Sequence, residues 1–201
     1  MLKALAVSLL CVLAAPATAV ADIHISPMIG LTFAGKTTLF DPDFATGEKH
    51  PNVAIAGSYL TRGLLGVEGI AMMTPGFFQV DSGTFVENSR LSALMANVVV
   101  TAPQKWTEYF LRPFVSGGFG LIRVSKQELK EVLSTSINLP GYNIGGGAIG
   151  FFTQRTGVRF DLRYYSTLHG VDERASDDGA VGIGPVRLRY MTATVGVVIR
   201  R

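Results

Sequence analysis

Residues 157–166 read GVRFDLRYYS, and apolar and polar side chains alternate along most of this stretch. Successive side chains of an extended strand point to opposite faces, so the even-numbered positions share one face. That face carries Val158, Phe160, Leu162 and Tyr164, and the opposite face carries Arg159, Asp161, Arg163 and Tyr165. A period of two over this length predicts a β-strand with one apolar and one charged face.

Similar stretches, rich in Gly, β-branched and aromatic residues, recur along the chain between turn signals. Together they predict eight strands, at residues 23–35, 52–60, 64–73, 90–101, 109–125, 142–152, 157–168 and 186–199. No stretch after residue 21 sustains a helical period. A strand that crosses a membrane needs about 9–11 residues with alternating positions, and these stretches match that length.

Charged residues within the strands fall on single faces. In the third strand Glu68 stands alone among apolar and small residues, and in the eighth Arg187 and Arg189 alternate with Val186, Leu188 and Tyr190. A soluble β-sandwich would alternate in the same way with its charges in water. The alternation alone therefore leaves a soluble sandwich and a membrane barrel open.

The connections favour the barrel. Those after the second, fourth and sixth strands are short, at residues 61–63, 102–108 and 153–156, whereas the other four take about 15 or more residues and carry most acidic residues. Outer-membrane barrels have short periplasmic turns and longer external loops. The pattern predicts an all-β fold, an eight-stranded antiparallel up-and-down transmembrane β-barrel, closed so that no strand edge is unpaired in lipid.

The first 21 residues, MLKALAVSLLCVLAAPATAVA, have the features of a secretory signal peptide. A single early Lys precedes an apolar segment, and two A-x-A sites follow, at 17–19 and 19–21, between which the sequence does not decide. Cys11, the only cysteine, lies inside this segment. We therefore expect a cleaved signal peptide at 1–21, a barrel domain at 22–201 and a location in the bacterial outer membrane.

Three stretches, at 66–78, 97–124 and 143–168, carry a resemblance to a known family that covers most of residues 22–201. The best-matching pieces lie on two of the predicted strands. RPFVSGGFG at 112–120 and RFDLRYY at 159–165 resemble strands of the small OmpA-like outer-membrane β-barrel domain family, which includes OmpA/OmpX-type eight-stranded barrels. The resemblance implies insertion by the barrel-assembly machinery and a lumen too narrow for free passage of solutes. Chains of this family usually end in an aromatic residue, whereas this one ends VVIRR.

The inward faces predict a network of charges in the lumen. Its predicted members are Glu68, Arg112, Arg159, Asp161, Arg163, Arg187 and Arg189. A buried ion is tolerated only when it is paired, so the network is interpreted as a plug that stiffens the barrel. Because its cations outnumber its anions, a narrow gated pore with weak anion preference is the alternative.

A second alternative is a lipid A-modifying enzyme that uses His169 with nearby hydroxyl and acidic residues. The spacing around His169 matches no catalytic signature, so we expect no enzymatic activity, no catalytic residues, no cofactor and no metal site. The acidic loop at 172–179 lacks the ligand spacing of a calcium loop. Aromatic residues are predicted at the membrane interfaces, with ordinary packing as the alternative: Trp106, Tyr109 and Phe110 on the inner side, Phe77 and Phe78 on the outer side.

Residues 30–37, GLTFAGKT, match the phosphate-binding loop pattern G-x-x-x-x-G-K-T. Such a loop opens a helix, but Pro42 and Pro51 follow here. Residues 30–34 are therefore predicted to be the outer half of the first strand, and residues 35–37 to be where the chain leaves the membrane for its first external loop. Charged residues are 16% of the chain and the net charge is +3. A positive charge of this size is too small to suggest that the protein binds nucleic acid. The expected partners are outer-membrane lipid, lipopolysaccharide and the assembly machinery. We do not expect a bound nucleotide. The barrel is predicted to be a monomer.

Overall fold

The computed structural model describes residues 21–37, 49–61, 64–77, 86–102, 111–128, 135–168 and 188–201. They form one closed barrel in which each strand pairs antiparallel with its neighbours in sequence and the last strand pairs with the first. The strands are β1 (Ala21–Thr37), β2 (His50–Thr61), β3 (Leu65–Pro75), β4 (Val86–Thr101), β5 (Leu111–Glu128), β6 (Thr135–Phe151), β7 (Thr156–Thr167) and β8 (Leu188–Arg200). The predicted eight-stranded fold is confirmed.

The start of β6 differs most from the prediction, at residue 135 instead of 142. The cause lies at Pro140, which reads as a strand breaker but sits in the ladder opposite Leu121. Its carbonyl accepts a hydrogen bond from the N–H of Leu168 (2.9 Å), the residue just after β7. The N–H that proline lacks would point to the same side, toward Leu168, so only a bond at the very end of the β6–β7 pairing is missing.

The longer strands also correct the predicted pattern of connections. β5 and β6 span 18 and 17 residues, so only residues 129–134 remain between them. This connection is shorter than the one at 102–110 between β4 and β5. The strict short–long alternation is therefore wrong at β5–β6, because both strands are longer than predicted and include residues that were counted as a loop.

The strands are tilted and their register defines the tilt. A row of directly opposed residues starts at Ile25 and returns to β1 at Lys36 after passing Gly57, Gly69, Ala96, Phe119, Tyr142, Ser166 and Arg189. One circuit of the barrel thus moves the row along β1 from Ile25 to Lys36, and the extra residue at the register shift between Phe33 and Lys36 accounts for one of these positions. For eight strands this stagger corresponds to a tilt of roughly 40° from the barrel axis.

The register shift in β1 lies inside GLTFAGKT. Ala34 adopts a left-handed conformation (φ 52°), which is the mark of a bulge, and the strand continues to Thr37. The stretch is therefore β-strand throughout, as predicted for residues 30–34, whereas residues 35–37 continue the strand instead of leaving it for the loop. No helix begins within the stretch to hold a phosphate. The strand runs a little further than the predicted end at residue 35.

The outward face is an apolar belt around the whole barrel. Exposed large apolar side chains occur on all eight strands, among them Ile29, Ile55, Val67, Leu94 and Phe119. Along β5 the outward positions from 111 to 121 carry no charge, and Arg123 follows them. Ten residues span about 33 Å along a strand and, at this tilt, roughly 25 Å along the barrel axis. That height matches the apolar band of outer-membrane barrels.

The interior is layered. The end of the barrel at which β1 begins and β8 ends is called the terminal end, and the opposite end the distal end. An apolar cluster near the terminal end contains Leu60, Val99, Phe114, Ile149, Phe151 and Val198. A larger cluster toward the distal end contains Met28, Ala56, Ile70, Met72, Leu91, Ala93, Met95, Ile122, Val124, Tyr165, Leu188 and Tyr190. Charged and amide side chains lie between the two clusters.

Candidate functional site

Four charged side chains meet in the middle of the lumen, and we call them the ionic layer: Glu68 on β3 and Arg159, Asp161 and Arg163 on β7. Arg159 Nη1 lies 2.6 Å from Glu68 Oε2, and Arg159 Nη2 lies 2.6 Å from Asp161 Oδ2. Arg163 Nη2 lies 2.9 Å from Glu68 Oε1 and 2.8 Å from Asp161 Oδ2. All four side chains are buried. Two guanidinium groups thus face two carboxylates, and the layer has no net charge.

The period of two explains why β7 supplies three of the four. Positions 159, 161 and 163 share the inward face of one strand, so Asp161 lies between two arginines. Asp161 also accepts a hydrogen bond from Arg163 Nε at Oδ1 (3.1 Å). Glu68 comes from the facing wall of the barrel, and it is the residue that joins β7 to β3.

Neutral side chains extend the ionic layer to three further strands. Ser58 Oγ and Asn97 Nδ2 both donate to the carboxylate of Glu68, at 3.1 and 3.3 Å. Asn143 Nδ2 donates to Asn97 Oδ1 (2.7 Å), and Arg163 Nη1 donates to Asn143 Oδ1 (3.0 Å). The network therefore links β2, β3, β4, β6 and β7 across the lumen.

Inward-facing glycines make the room that these side chains occupy. Gly147 stands opposite Asp161, Gly145 opposite Arg163, and Gly196 opposite Arg159. A Cβ added at Gly147 would collide with the carbonyl oxygen of Phe160 on β7. At this position β6 approaches β7 so closely that no side chain fits opposite Asp161 on the β6 side.

Of the three other arginines predicted for the network, the structure describes Arg112 and Arg189, and neither has a contact with the ionic layer. Arg112 is inside the lumen with 2% of its surface exposed, but its Nη2 donates to Thr101 Oγ1 (2.8 Å) and the carbonyl of Thr61 (3.2 Å). These partners lie at the ends of β4 and β2, near the terminal end. Arg187 falls outside the described residues.

The prediction that Arg189 faces the lumen is wrong. Its side chain is exposed on the outer surface, while its neighbours Leu188 and Tyr190 point inward. Tyr190 stacks on Tyr165 with ring centroids 4.9 Å apart and 10° between the ring planes. The lumen is apolar at this level, and an arginine above the apolar belt can face water or lipid headgroups. The strand alternates as predicted, but with its two faces exchanged.

Of the five aromatic residues predicted at the membrane interfaces, the structure describes Phe77 and contradicts its prediction. Phe77 packs inward against Tyr190 (centroids 5.8 Å apart) and His50 (5.6 Å), so it closes the distal mouth of the lumen and is not a lipid-facing residue. Phe78, Trp106, Tyr109 and Phe110 fall outside the described residues. Phe160 and Tyr164 lie on the outward face of β7, the face predicted to be apolar, and three further outward aromatics were not predicted although the parity of their strands indicates them: Tyr59, Phe119 and Tyr142.

Other predicted features either fall outside the described residues or take no part in the ionic layer. The predicted signal peptide, residues 1–21, is undescribed except for Ala21 of β1, and His169 is likewise undescribed. His24 packs against the ring of Phe151 (centroids 5.4 Å apart) in the lumen. In the part of the chain that the structure describes, no group of His, Cys, Asp and Glu could hold a metal ion. No helix there is long and apolar enough to cross a bilayer.

Comparison with solved structures identifies the class of fold. Neisserial surface protein A (NspA) aligns with a TM-score of 0.60 at 12% identity, over 89% of this chain and 96% of that one. The outer membrane protein OprG from Pseudomonas aeruginosa aligns with a TM-score of 0.55 at 10% identity, over 91% and 97%. Ail, the attachment invasion locus protein of Yersinia pestis, in complex with the heparin analogue sucrose octasulfate, aligns with a TM-score of 0.51 at 12% identity, over 88% and 98%.

The chain therefore has the fold of the small eight-stranded outer-membrane barrels. At 10–12% identity the likeness concerns the fold alone. No protein-family model matches the sequence, and no curated protein matches it either.

Proposed function

We propose that this protein is an integral barrel of the bacterial outer membrane with a structural or surface-interaction role and a lumen plugged by the ionic layer. The observation that carries the proposal is the inverted distribution of polarity. Charged side chains are buried in the lumen, while the belt between the barrel ends exposes Ile, Leu, Val and Phe to the surroundings. A barrel in water would expose its charges and bury those side chains.

Replacement of Val115 by Arg tests the membrane proposal. Val115 faces outward near the middle of the apolar belt on β5, with 60% of its surface exposed. An arginine there should lower the free energy of unfolding by about 2–4 kcal/mol in lipid vesicles, because a guanidinium is unfavourable at the bilayer midplane. Reversible guanidinium unfolding in vesicles measures the change.

Thr156 provides the matched control, since it is exposed at the terminal end of β7. Thr156→Arg should cost at most about 1 kcal/mol, as expected near the interface. Equal, negligible effects of the two substitutions would contradict a membrane-embedded belt, because an exposed valine of a soluble barrel tolerates arginine.

The plug is proposed in preference to the pore because both sides of the ionic layer are apolar. An ion that crossed the described lumen would have to pass the cluster around Phe114 and the cluster around Met95. The layer itself is neutral, and the one further predicted lumen arginine that the structure places inside, Arg112, lies near the terminal end and outside the layer.

Planar bilayer recording separates the plug from the pore. We expect the folded protein to give no stepwise conductance, because a hydrated ion cannot cross the two apolar clusters. Discrete steps that change when Glu68 is replaced by Ala would refute the plug and establish the gated pore.

A surface role fits the distal extension of the sheet. β5 and β6 continue past the apolar belt and carry polar side chains such as Arg123, Ser125 and Asn138 beyond it. NspA is described as a surface protein and Ail as an attachment invasion locus protein, and both share this fold. We infer that the distal end of this barrel also faces the cell exterior.

A further inference from the structure

The pairing of β1 with β8 is interrupted inside the apolar belt. Direct pairing stops after Ile25 and resumes at Met28, so Ser26 and Pro27 have no ladder partner on β8. The register is the same on both sides of this gap, so no residue is inserted and the gap is not a bulge. Among the strands that the structure describes, the other seven pairs are continuous across the belt.

The gap follows from the proline. In an antiparallel strand the N–H and the C=O of one residue point to the same neighbouring strand. At Ile23, four residues earlier, both groups bond to Arg201, the residue just after β8 (3.3 and 2.9 Å). Pro27 has the same parity, so the N–H that it lacks would point to β8 and donate to the carbonyl of Val197. That carbonyl is left without its ladder donor.

The other prolines of the described strands do not interrupt the belt. Pro51 and Pro75 lie at the distal ends of β2 and β3. The carbonyl of Pro113 accepts a hydrogen bond from the N–H of Ala102 (3.0 Å), the residue just after β4, and Pro140 lies opposite the end of β7. Their missing N–H groups therefore concern only the ends of strand pairs, whereas the proline of β1 removes a bond between two strands that both continue.

The gap lies near the centre of the belt. Pro27 is the third of the five outward positions from Ile23 to Leu31. A carbonyl at this depth has no water to replace its missing donor, so the closed β1–β8 junction is less stable here than the other junctions. The nearest hydroxyl does not compensate, because Ser26 Oγ is buried and has no hydrogen-bond partner in the described structure.

The wall of the barrel is also thinly covered at this point. On the outside, a groove of about 560 Å³ lies over the gap, with Pro27, Val195 and Val197 among its lining residues. On the inside, Gly196 is the lumen-facing residue of β8 beside the gap, so β8 contributes no side chain there. The junction is therefore held at this level mainly by backbone hydrogen bonds, one of which is missing.

We propose that the barrel wall opens reversibly between β1 and β8 at Pro27, and that the opening exposes the lumen side of Ser26 to the bilayer interior. The network of the ionic layer links β2, β3, β4, β6 and β7 but neither strand of this junction, so the opening leaves the plug in place. The inference rests on the proposed function, because a lateral opening has this meaning only for a barrel embedded in lipid.

Labelling of a cysteine by a maleimide dissolved in the membrane tests the opening. The folded full-length barrel in lipid vesicles carries Cys11→Ser, which removes its only cysteine, together with Ser26→Cys. Ser116→Cys is the matched control, since Ser116 is also a buried lumen serine without a hydrogen-bond partner, but β5 pairs continuously with both of its neighbours at that position. Pyrene maleimide should label the Ser26→Cys variant at least about tenfold faster than the Ser116→Cys variant, because only the first lies at a junction with an unsatisfied acceptor.

Pro27→Val, added to the Ser26→Cys variant, tests the cause. Valine restores the N–H that Val197 lacks, so it should slow the labelling at least about tenfold. Pro113→Val is its control, because Pro113 also faces outward but removes a bond only at the end of a strand pair. This substitution should change the labelling rate less than about twofold.

Three results would overturn the inference. Equal labelling of the two cysteine variants, or labelling of neither, would show that the wall does not open at the junction. An unchanged rate after Pro27→Val would show that the missing N–H is not the cause. Faster labelling by a sulfonated, membrane-impermeant maleimide than by pyrene maleimide would show that the reagent enters through a mouth of the lumen.

The mobility of unboiled samples on gels separates this inference from the proposed function. If every variant inserts into vesicles and shows the heat-dependent mobility shift of a barrel, an absence of selective labelling counts against the opening alone. If the original protein does not insert into vesicles at all, the proposed function fails as well.

Discussion

Replacement of Arg163 by methionine is expected to lower the free energy of unfolding by about 3–5 kcal/mol. The guanidinium contacts both carboxylates of the ionic layer, at 2.9 Å from Glu68 Oε1 and 2.8 Å from Asp161 Oδ2. Its loss leaves two buried carboxylates with Arg159 as their only cation in the layer. A buried charge without a partner is far more costly than the removal of a whole ion pair. Reversible unfolding in lipid vesicles gives the value.

Arg189→Met is the matched control, because the same sequence pattern predicted both arginines for the lumen. Arg189 is exposed on the outer surface, so its replacement should change the free energy of unfolding by no more than about 0.5 kcal/mol. A variant that also replaces Glu68 by Gln should recover part of the loss at Arg163, since one unpaired charge is then removed. Similar small effects at both arginines would show that the ionic layer does not stabilise the barrel.

Replacement of Gly147 by valine is expected to be comparably damaging, with a loss of about 3 kcal/mol or more. The new side chain would meet the backbone of Phe160 and the Cα of Asp161, the latter at 3.1 Å from the Cβ position. Backbone atoms cannot rotate away as a flexible side chain can. The substitution must separate β6 from β7 or displace Asp161 from the two arginines.

Gly69→Val is the control for Gly147→Val because both glycines lie within regular strands. The position at Gly69 faces outward with no atom within 4 Å of the added Cβ. Valine there should leave the free energy of unfolding within about 0.5 kcal/mol, since it suits an extended backbone and an apolar surrounding. If both substitutions were tolerated equally, the close approach of β6 and β7 would not constrain the lumen.

The strands and their inward faces followed from the sequence because the side-chain period of a strand is a local property. Alternation at 157–166 places Arg159, Asp161 and Arg163 on one face, and the structure keeps them there. Glu68 was also predicted for the lumen, but the sequence did not indicate which of the predicted arginines it contacts, and the two that it pairs with are more than ninety positions away. Which strands meet at the same level depends on the stagger of the whole barrel, and no local pattern records it.

The residues whose faces were predicted wrongly lie near the ends of strands, where alternation no longer shows which face is the lumen. Within the membrane an outward charge is excluded, so a charge identifies the lumen face. Above the apolar belt an outward charge is no longer excluded, so Arg189 points outward while Tyr190 points into the lumen. Phe77 follows the same logic, because a large apolar side chain at the mouth packs inward when the lumen below it is apolar.

The pairing of β1 with β8 has a consequence for how the chain folds. Seven of the eight strand pairs join neighbours in sequence, and each of them closes a connection of at most 20 residues. The eighth pair joins residues such as Ile29 and Val195 from opposite ends of the chain, so it cannot form before the last strand is made. A folding intermediate that lacks only this pair exposes two unpaired strand edges, which would bind other chains in an aggregate. Assembly must therefore protect both edges until the seam between β1 and β8 closes.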